Sequence, residues 1–231
     1  MDRVGWDRRD KAHFPKLYPI LDAELVLSGL LAESDKRREL LRRLVHELSE
    51  AGMEILQYRN KRDDDAVVVA DALAIREAAS LSGPRPVRLI LNDRAALARA
   101  ERWDGVHVGQ NDLSPQQARL LVGPAATVGL STHNAEQVVA ANAEPVDYIA
   151  IGPVFPTASK FDTSTVIGLE GVRQARRLTS KPLVAIGGIT RENAAAVYDA
   201  GADSVAVISA IFGASGRTPA QSAKDFLEIF K

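Results

Sequence analysis

The sequence predicts an α/β fold, a single closed (β/α)8 barrel of the TIM type, and three observations predict it. Short apolar runs rich in β-branched residues recur eight times in 231 residues. Segments with helical spacing of apolar residues lie between them, so the two periodicities alternate. No glycine-rich dinucleotide fingerprint follows the first run, which weighs against the open doubly wound sheet that alternation alone also allows. Eight alternations in one domain therefore suggest closure into a parallel barrel.

The candidate strands, in order, are 18–21, 55–58, 87–91, 105–108, 127–129, 148–151, 183–186 and 204–207. Helical spacing marks 36–51, 66–81, 115–121, 135–142, 169–178 and 192–200. Starts and stops agree: Ser114-Pro115 and Thr190 before Glu192-Asn193 supply helix-initiating chemistry, while Ala51-Gly52 and Ala200-Gly201 resemble C-terminal caps. With 46% hydrophobic residues the chain can bury one substantial core and little more. The expected organisation is an N-terminal extension, 1–16, and a catalytic barrel, 17–231.

Composition narrows the function. Lys and Arg total 29 against 30 for Asp and Glu, so no broad field attracts nucleic acid or an anionic membrane, and an anionic ligand has to be held locally. With no cysteine, thiolate nucleophiles, disulfides and cysteine metal sites are excluded, which fits a reducing compartment. Residues 1–16 are charged throughout and lack an apolar signal core, and no apolar run approaches the roughly 20 residues that span a bilayer. A cytoplasmic protein is expected.

In such a barrel the active site forms from the loops after the strands, so the residues following each run are the ones to inspect. Strand two ends in Gln57-Tyr58-Arg59-Asn60-Lys61, an amide and two cations suited to phosphate oxygens, or else a solvated charged loop. Strands three and four end in Asn92-Asp93 and Gly109-Gln110-Asn111-Asp112. Two carboxylates at one mouth suit Mg²⁺, which takes one or two protein carboxylates and completes its shell with water and phosphate. Helix capping by either Asp is the alternative, since each precedes a helix. Strand five ends in Ser131-Thr132-His133, where Ser131 reads as a phosphate donor or an N-cap and His133 as a proton carrier or a surface residue. After strand six comes the irregular connection 157–168, with Thr157, Ser159 and Lys160. Strands seven and eight end in Gly187-Gly188 and Ile208-Ser209, where barrels frequently hold phosphate.

Six stretches in order, QYRNK at 57–61, LND at 91–93, GVHVGQND at 105–112, GLSTH at 129–133, IGPVFPTASK at 151–160 and VAIGGI at 184–189, resemble the thiamine-phosphate synthase (thiamine-phosphate pyrophosphorylase) family. The resemblance covers about residues 17 to 212. It implies a (β/α)8 barrel transferase of thiamine biosynthesis. Its reaction couples hydroxymethylpyrimidine diphosphate to a thiazole phosphate or its carboxylate, releasing pyrophosphate with Mg²⁺ as cofactor. By that resemblance the pyrimidine diphosphate contacts Gln57, Tyr58, Arg59, Asn60, Lys61, Asn92, Ser131 and Lys160. Arg59, Lys61, Ser131 and Lys160 act in catalysis, and Asp93 and Asp112 carry the metal. Thr157, Ser159, Gly188, Ile208 and Ser209 hold the thiazole phosphate, and Ala158 is a further substrate-binding residue. Ser159 stands where the family often has Thr, and the hydroxyl survives.

Two other functions compete. A related barrel family, the thiazole tautomerases, looks similar around the serine and histidine of strand five. A binding protein without turnover would carry the same charges. The combined set of Arg59, Lys61, Asp93, Asp112 and Lys160 favours the synthase. The loop 157–168 is expected to close over bound diphosphate, and pairing into a homo-oligomer is compatible with the fold.

Overall fold

The computed structural model describes residues 14–30, 34–81, 86–157 and 165–230. Eight strands, β1 (Leu17–Asp22), β2 (Ile55–Arg59), β3 (Arg88–Asn92), β4 (Gly105–Val108), β5 (Thr127–Thr132), β6 (Tyr148–Ile151), β7 (Leu183–Ile186) and β8 (Ser204–Val207), pair in parallel around a closed ring. β1 pairs with β2 on one side and with β8 on the other, Tyr18 standing opposite Ala206. That pairing removes the open-sheet alternative.

Helices fill the connections: α1 (Ala23–Leu27), α2 (Ser34–Glu50), α3 (Asp65–Leu81), α4 (Ala95–Ala100), α5 (Pro115–Val122), α6 (Ala135–Asn142), α7 (Gly168–Leu178), α8 (Arg191–Asp199), α9 (Ser209–Phe212) and α10 (Pro219–Glu228). The six expected helices are all present. α4 is the helix expected after Asp93, α1, α9 and α10 are additional, and α10 had a legible start, because Thr218 caps it in a box with Gln221 and Pro219 follows. Helix burial follows the 3.6-residue period: Leu41, Leu44, Val45 and Leu48 form the inner stripe of α2, and Val68, Ala72, Ile75 and Ala79 that of α3. None of the described helices is long and apolar enough to cross a membrane.

Strand alternation divides the core in two. Leu17, Leu21, Leu56, Leu89 and Ile149 point outward into a layer shared with the helices. Tyr18, Ile20, Ile55, Ile90, Tyr148, Val184 and Ala206 point into the lumen. Each fully buried Leu or Ile contributes about 1.5–3 kcal/mol from burial alone, so this two-sided pattern fixes the register. Packing begins before β1, where Phe14 is 2% exposed and meets the Tyr148 ring at 5.4 Å between centroids. The same alternation decides which strand-end residues reach the mouth.

Candidate active site

At the β1–β4 side of the mouth the site is built from charges. Asp22 ends β1 opposite Arg59 of β2, and the two side chains form an ion pair. The Asp22 carboxylate also accepts the amides of Glu24 and Leu25 at 3.0 and 3.4 Å, capping α1. It is thereby fixed, and so is the guanidinium it holds. Gln57, two residues before Arg59, faces the same lumen and donates to the Tyr18 hydroxyl at 3.2 Å. Asn92 ends β3 on the lumen face opposite His107 of β4.

Lys61 lies 3.1 Å from the Asp93 carboxylate. Asp93 is non-glycine with φ of 62°, a conformation that costs energy and that clusters at functional sites. Its backbone N–H donates to the His107 carbonyl at 2.8 Å. Burial, and after it a hydrogen bond with the Asp112 carboxyl, push the Asp93 carboxyl above its ordinary value, against the pull of Lys61. Two carboxyls thus stand side by side. Helix capping accounts for neither. The N-cap of α4 is Arg94, with no side-chain cap bond. Asp112 accepts the Gly109 amide at 2.9 Å, while Ser114 caps α5.

The β2 strand end splits by the two-residue period. Gln57 and Arg59 reach the mouth, and Tyr58 points outward among the helices. The Tyr58 hydroxyl donates to Asp71, whose carboxylate also takes the Arg37 guanidinium at 2.6 to 3.0 Å. Burial first, and Asp71 beside it, raise the Tyr58 phenol far above its ordinary value. Asn60 turns the same way, donating to Tyr58 and Asp63 at 3.0 and 2.9 Å and accepting the amides of Arg62 and Asp63 at 3.3 and 3.1 Å. These two side chains brace the loop that carries Lys61. Both side chains turn away from the mouth, because alternation and a buried ion-pair network claim them.

Ser131 stands where the halves of the mouth meet. Its Oγ hydrogen-bonds His107 Nε2 at 2.8 Å, and its carbonyl accepts Gln110 Nε2 at 2.5 Å. It is not an N-cap, since Asn134 caps α6 by accepting the Gln137 amide at 2.9 Å. His133 is oriented by the backbone, its Nδ1–H donating to the Gly152 carbonyl at 2.8 Å.

On the β5–β8 side, Ser131, Thr157, Gly188, Ile208 and Ser209 line one cavity of about 470 Å³. Its wall depends on Gly188, with φ of 60°. A Cβ there would sit 2.5 Å from the Pro156 carbonyl oxygen and 2.7 Å from Phe155 Cβ, so only glycine permits this backbone approach. Ala158, Ser159 and Lys160, and the greater part of the loop expected to close, lie outside the described residues.

Sequence reasoning missed Asp22, His107, Tyr18 and Tyr148. Asp22 had a signal, a carboxylate ending the first strand. His107 lay inside a motif already singled out, and its lumen position follows from alternation with Gly105.

The family model for Thiamine monophosphate synthase matches residues 29–211. A thiamine-phosphate synthase of Koribacter versatilis is 48% identical, covering 93% of this chain and 95% of its own length. One from Chloroflexus aurantiacus is 42% identical over 73% of this chain and 76% of its own. The solved thiamine phosphate pyrophosphorylase of Pyrococcus furiosus superposes with a TM-score of 0.77 at 30% identity, covering 96% of each chain. The mouth residues, the closed barrel and these relatives agree: the chain belongs to the thiamine monophosphate synthase family, transferase enzymes of thiamine biosynthesis.

Proposed function

We propose that this enzyme joins hydroxymethylpyrimidine diphosphate to a thiazole phosphate, or its carboxylate, releasing pyrophosphate. The observation that carries the reading is the division of one barrel mouth into a charged half and a cavity walled by glycine, hydroxyl and apolar groups, meeting at Ser131. The coupling needs both: one place for a diphosphate that leaves and one for a phosphate that stays.

The carboxyls of Asp93 and Asp112 fit a magnesium ion. Among the described residues no three His, Cys, Asp or Glu side chains form a complete cage, and Mg²⁺ needs none, taking one or two carboxylates and filling its shell with water and phosphate. Two adjacent carboxyls, one of them pushed up by burial first and then by the other, are relieved when a cation stands beside them. When bound there, Mg²⁺ would neutralise charge on the departing diphosphate.

Arg59 is assigned to the diphosphate as a preset planar fork, held by Asp22. Lys61, at the rim beside Asp93, supplies a compact second charge, and Lys160 a third. Gln57, Asn92 and Ser131 orient the pyrimidine and its leaving group from the lumen face. Thr157, Gly188, Ile208 and Ser209 hold the thiazole phosphate through hydroxyls and close-approaching backbone. The thiazole nitrogen attacks with a free lone pair, so no general base is required, and positioning and electrostatics dominate. A pyrophosphate-release assay with each thiazole substrate in turn tests the reading. Release that requires both substrates is expected; release from neither pair would overturn it.

A further inference from the structure

A chain of buried hydrogen bonds crosses the barrel beneath the mouth. Gln57 Nε2 lies 3.2 Å from the Tyr18 hydroxyl, which lies 2.9 Å from the Tyr148 hydroxyl. The Tyr148 hydroxyl is 2.9 Å from His107 Nδ1, and His107 Nε2 is 2.8 Å from Ser131 Oγ. Exposures are 3% for Gln57, 1% for Tyr18, 0% for Tyr148 and 7% for His107. The crossing has its own allowance in the sequence. A Cβ on Gly129 would lie 2.0 Å from Tyr148 Cζ and 2.4 Å from its hydroxyl oxygen, so a larger residue on β5 would expel the phenol.

We infer that this chain runs in one proton direction, which fixes His107 as the neutral Nε2–H tautomer and leaves the Ser131 hydroxyl hydrogen to be donated into the cavity. Each hydroxyl has one hydrogen to give, and an amide nitrogen only gives. Gln57 donates to Tyr18, so the Tyr18 hydrogen is used on Tyr148, and the Tyr148 hydrogen on His107. Nδ1 is therefore the acceptor. The ring hydrogen sits on Nε2 and goes to Ser131 Oγ, whose own hydrogen then faces the ligand. Reversed, the chain ends with the hydrogens of Tyr18 and Gln57 opposed in an apolar lumen lined by Ile20, Ile55, Ile90 and Val184, where an unmet donor is costly. A donor at Ser131 suits an anionic phosphate oxygen, and a bare lone pair would repel it. Tyr18, Tyr148 and His107 are thus positioning residues for Ser131. Only the identity of the anion rests on the proposed function.

The test is a long-range ¹H–¹⁵N correlation spectrum of the full chain labelled in its four histidines, with the His107 ring assigned by its loss in His107→Gln. A protonated Nε2 and a bare Nδ1 at neutral pH are expected. A protonated Nδ1 would overturn the inference, meaning that the Gln57 amide is turned with its carbonyl toward Tyr18. The functional half is read by titrating inorganic pyrophosphate in the presence of Mg²⁺. Tyr148→Phe keeps the ring and removes one hydroxyl out of reach of ligand, and should both release His107 from a single tautomer and weaken binding about tenfold, the size of one hydrogen bond. Ser131→Ala should weaken it similarly, and the double variant no further than either single change. Additive losses would overturn the link to Ser131. The tautomer result stands even if no coupling activity is found, so failure of the proposed reaction is distinguishable from failure of this inference.

Discussion

Under the proposed function the two halves of the mouth meet the same demand, holding phosphate, by opposite means. Between β1 and β4 the work falls to side chains: Asp22, Arg59, Lys61, Asp93 and Asp112, tied in pairs across neighbouring strand ends. Between β5 and β8 it falls to the shape of the backbone, where Gly188 lets the chain approach closely and Ser209 begins a short helix beside the cavity. The difference matches the chemistry assigned to each. A group that leaves gains charge and needs countercharge as it goes. A group that stays only needs a fixed seat.

The sharpest way to break this comparison is to remove charge from the first half. Asp93→Ala or Asp112→Ala should lower turnover by at least on the order of 10²-fold with the fold intact, and chelation of Mg²⁺ should have the same effect. Circular dichroism with steady-state kinetics checks both points. Wild-type turnover in metal-free buffer would remove the metal assignment.

A smaller effect is expected from the second half, and it should be selective. Gly188→Ala places a Cβ against the Pro156 carbonyl in a left-handed conformation, a strain of about 1–2 kcal/mol. The KM for thiazole phosphate should rise roughly tenfold, while that for the pyrimidine diphosphate holds. Equal shifts in both KM values would show that the halves are not separate sites.

How much of this was legible in sequence can be argued from β2. The run 57–61 pointed to the mouth, but treating its five residues as one binding motif overlooked that a strand sends alternate side chains to opposite faces. Gln57 and Arg59 follow the motif; Tyr58 and Asn60 belong to the Arg37–Asp71–Asp63 network. Arg37 is 34 residues from Asp71, and periodicity cannot pair two charges on different helices. The barrel itself was legible because eight strand periods alternate with helical ones. The Gln57-to-Ser131 chain was not, since Tyr18 and Tyr148 look like ordinary core aromatics until the ring closes and brings β1 and β6 across the lumen.

His133 gives a weaker test, bearing on the tautomerase alternative. Its Nδ1–H bond to the Gly152 carbonyl orients the ring without engaging Nε2, but the proposed coupling needs no general base, so His133→Ala should slow it only a few-fold, far short of the 10²–10⁴ lost with a general acid or base. Coupling kinetics would reveal a larger loss.

The smallest effect concerns stability. Burial works against the Asp63 carboxylate, but hydrogen bonds from Asn60 and Arg37 hold it below its ordinary value of 3.8. A carboxyl depressed in the folded state adds stability that is present above the unfolded value and is lost as pH falls through the folded one. Urea unfolding of Asp63→Asn beside the wild type should differ at pH 6 and converge as pH drops below about 4. A constant difference across that range would contradict the pairing.

The most direct measurement of the divided mouth is calorimetric binding of inorganic pyrophosphate to the full chain, with and without Mg²⁺, for the wild type, Asp93→Ala and Gly188→Ala. The account predicts binding that depends on Mg²⁺, is lost in Asp93→Ala and is kept in Gly188→Ala. Binding that survives without the metal and the carboxylate, or that disappears with Gly188, would contradict it.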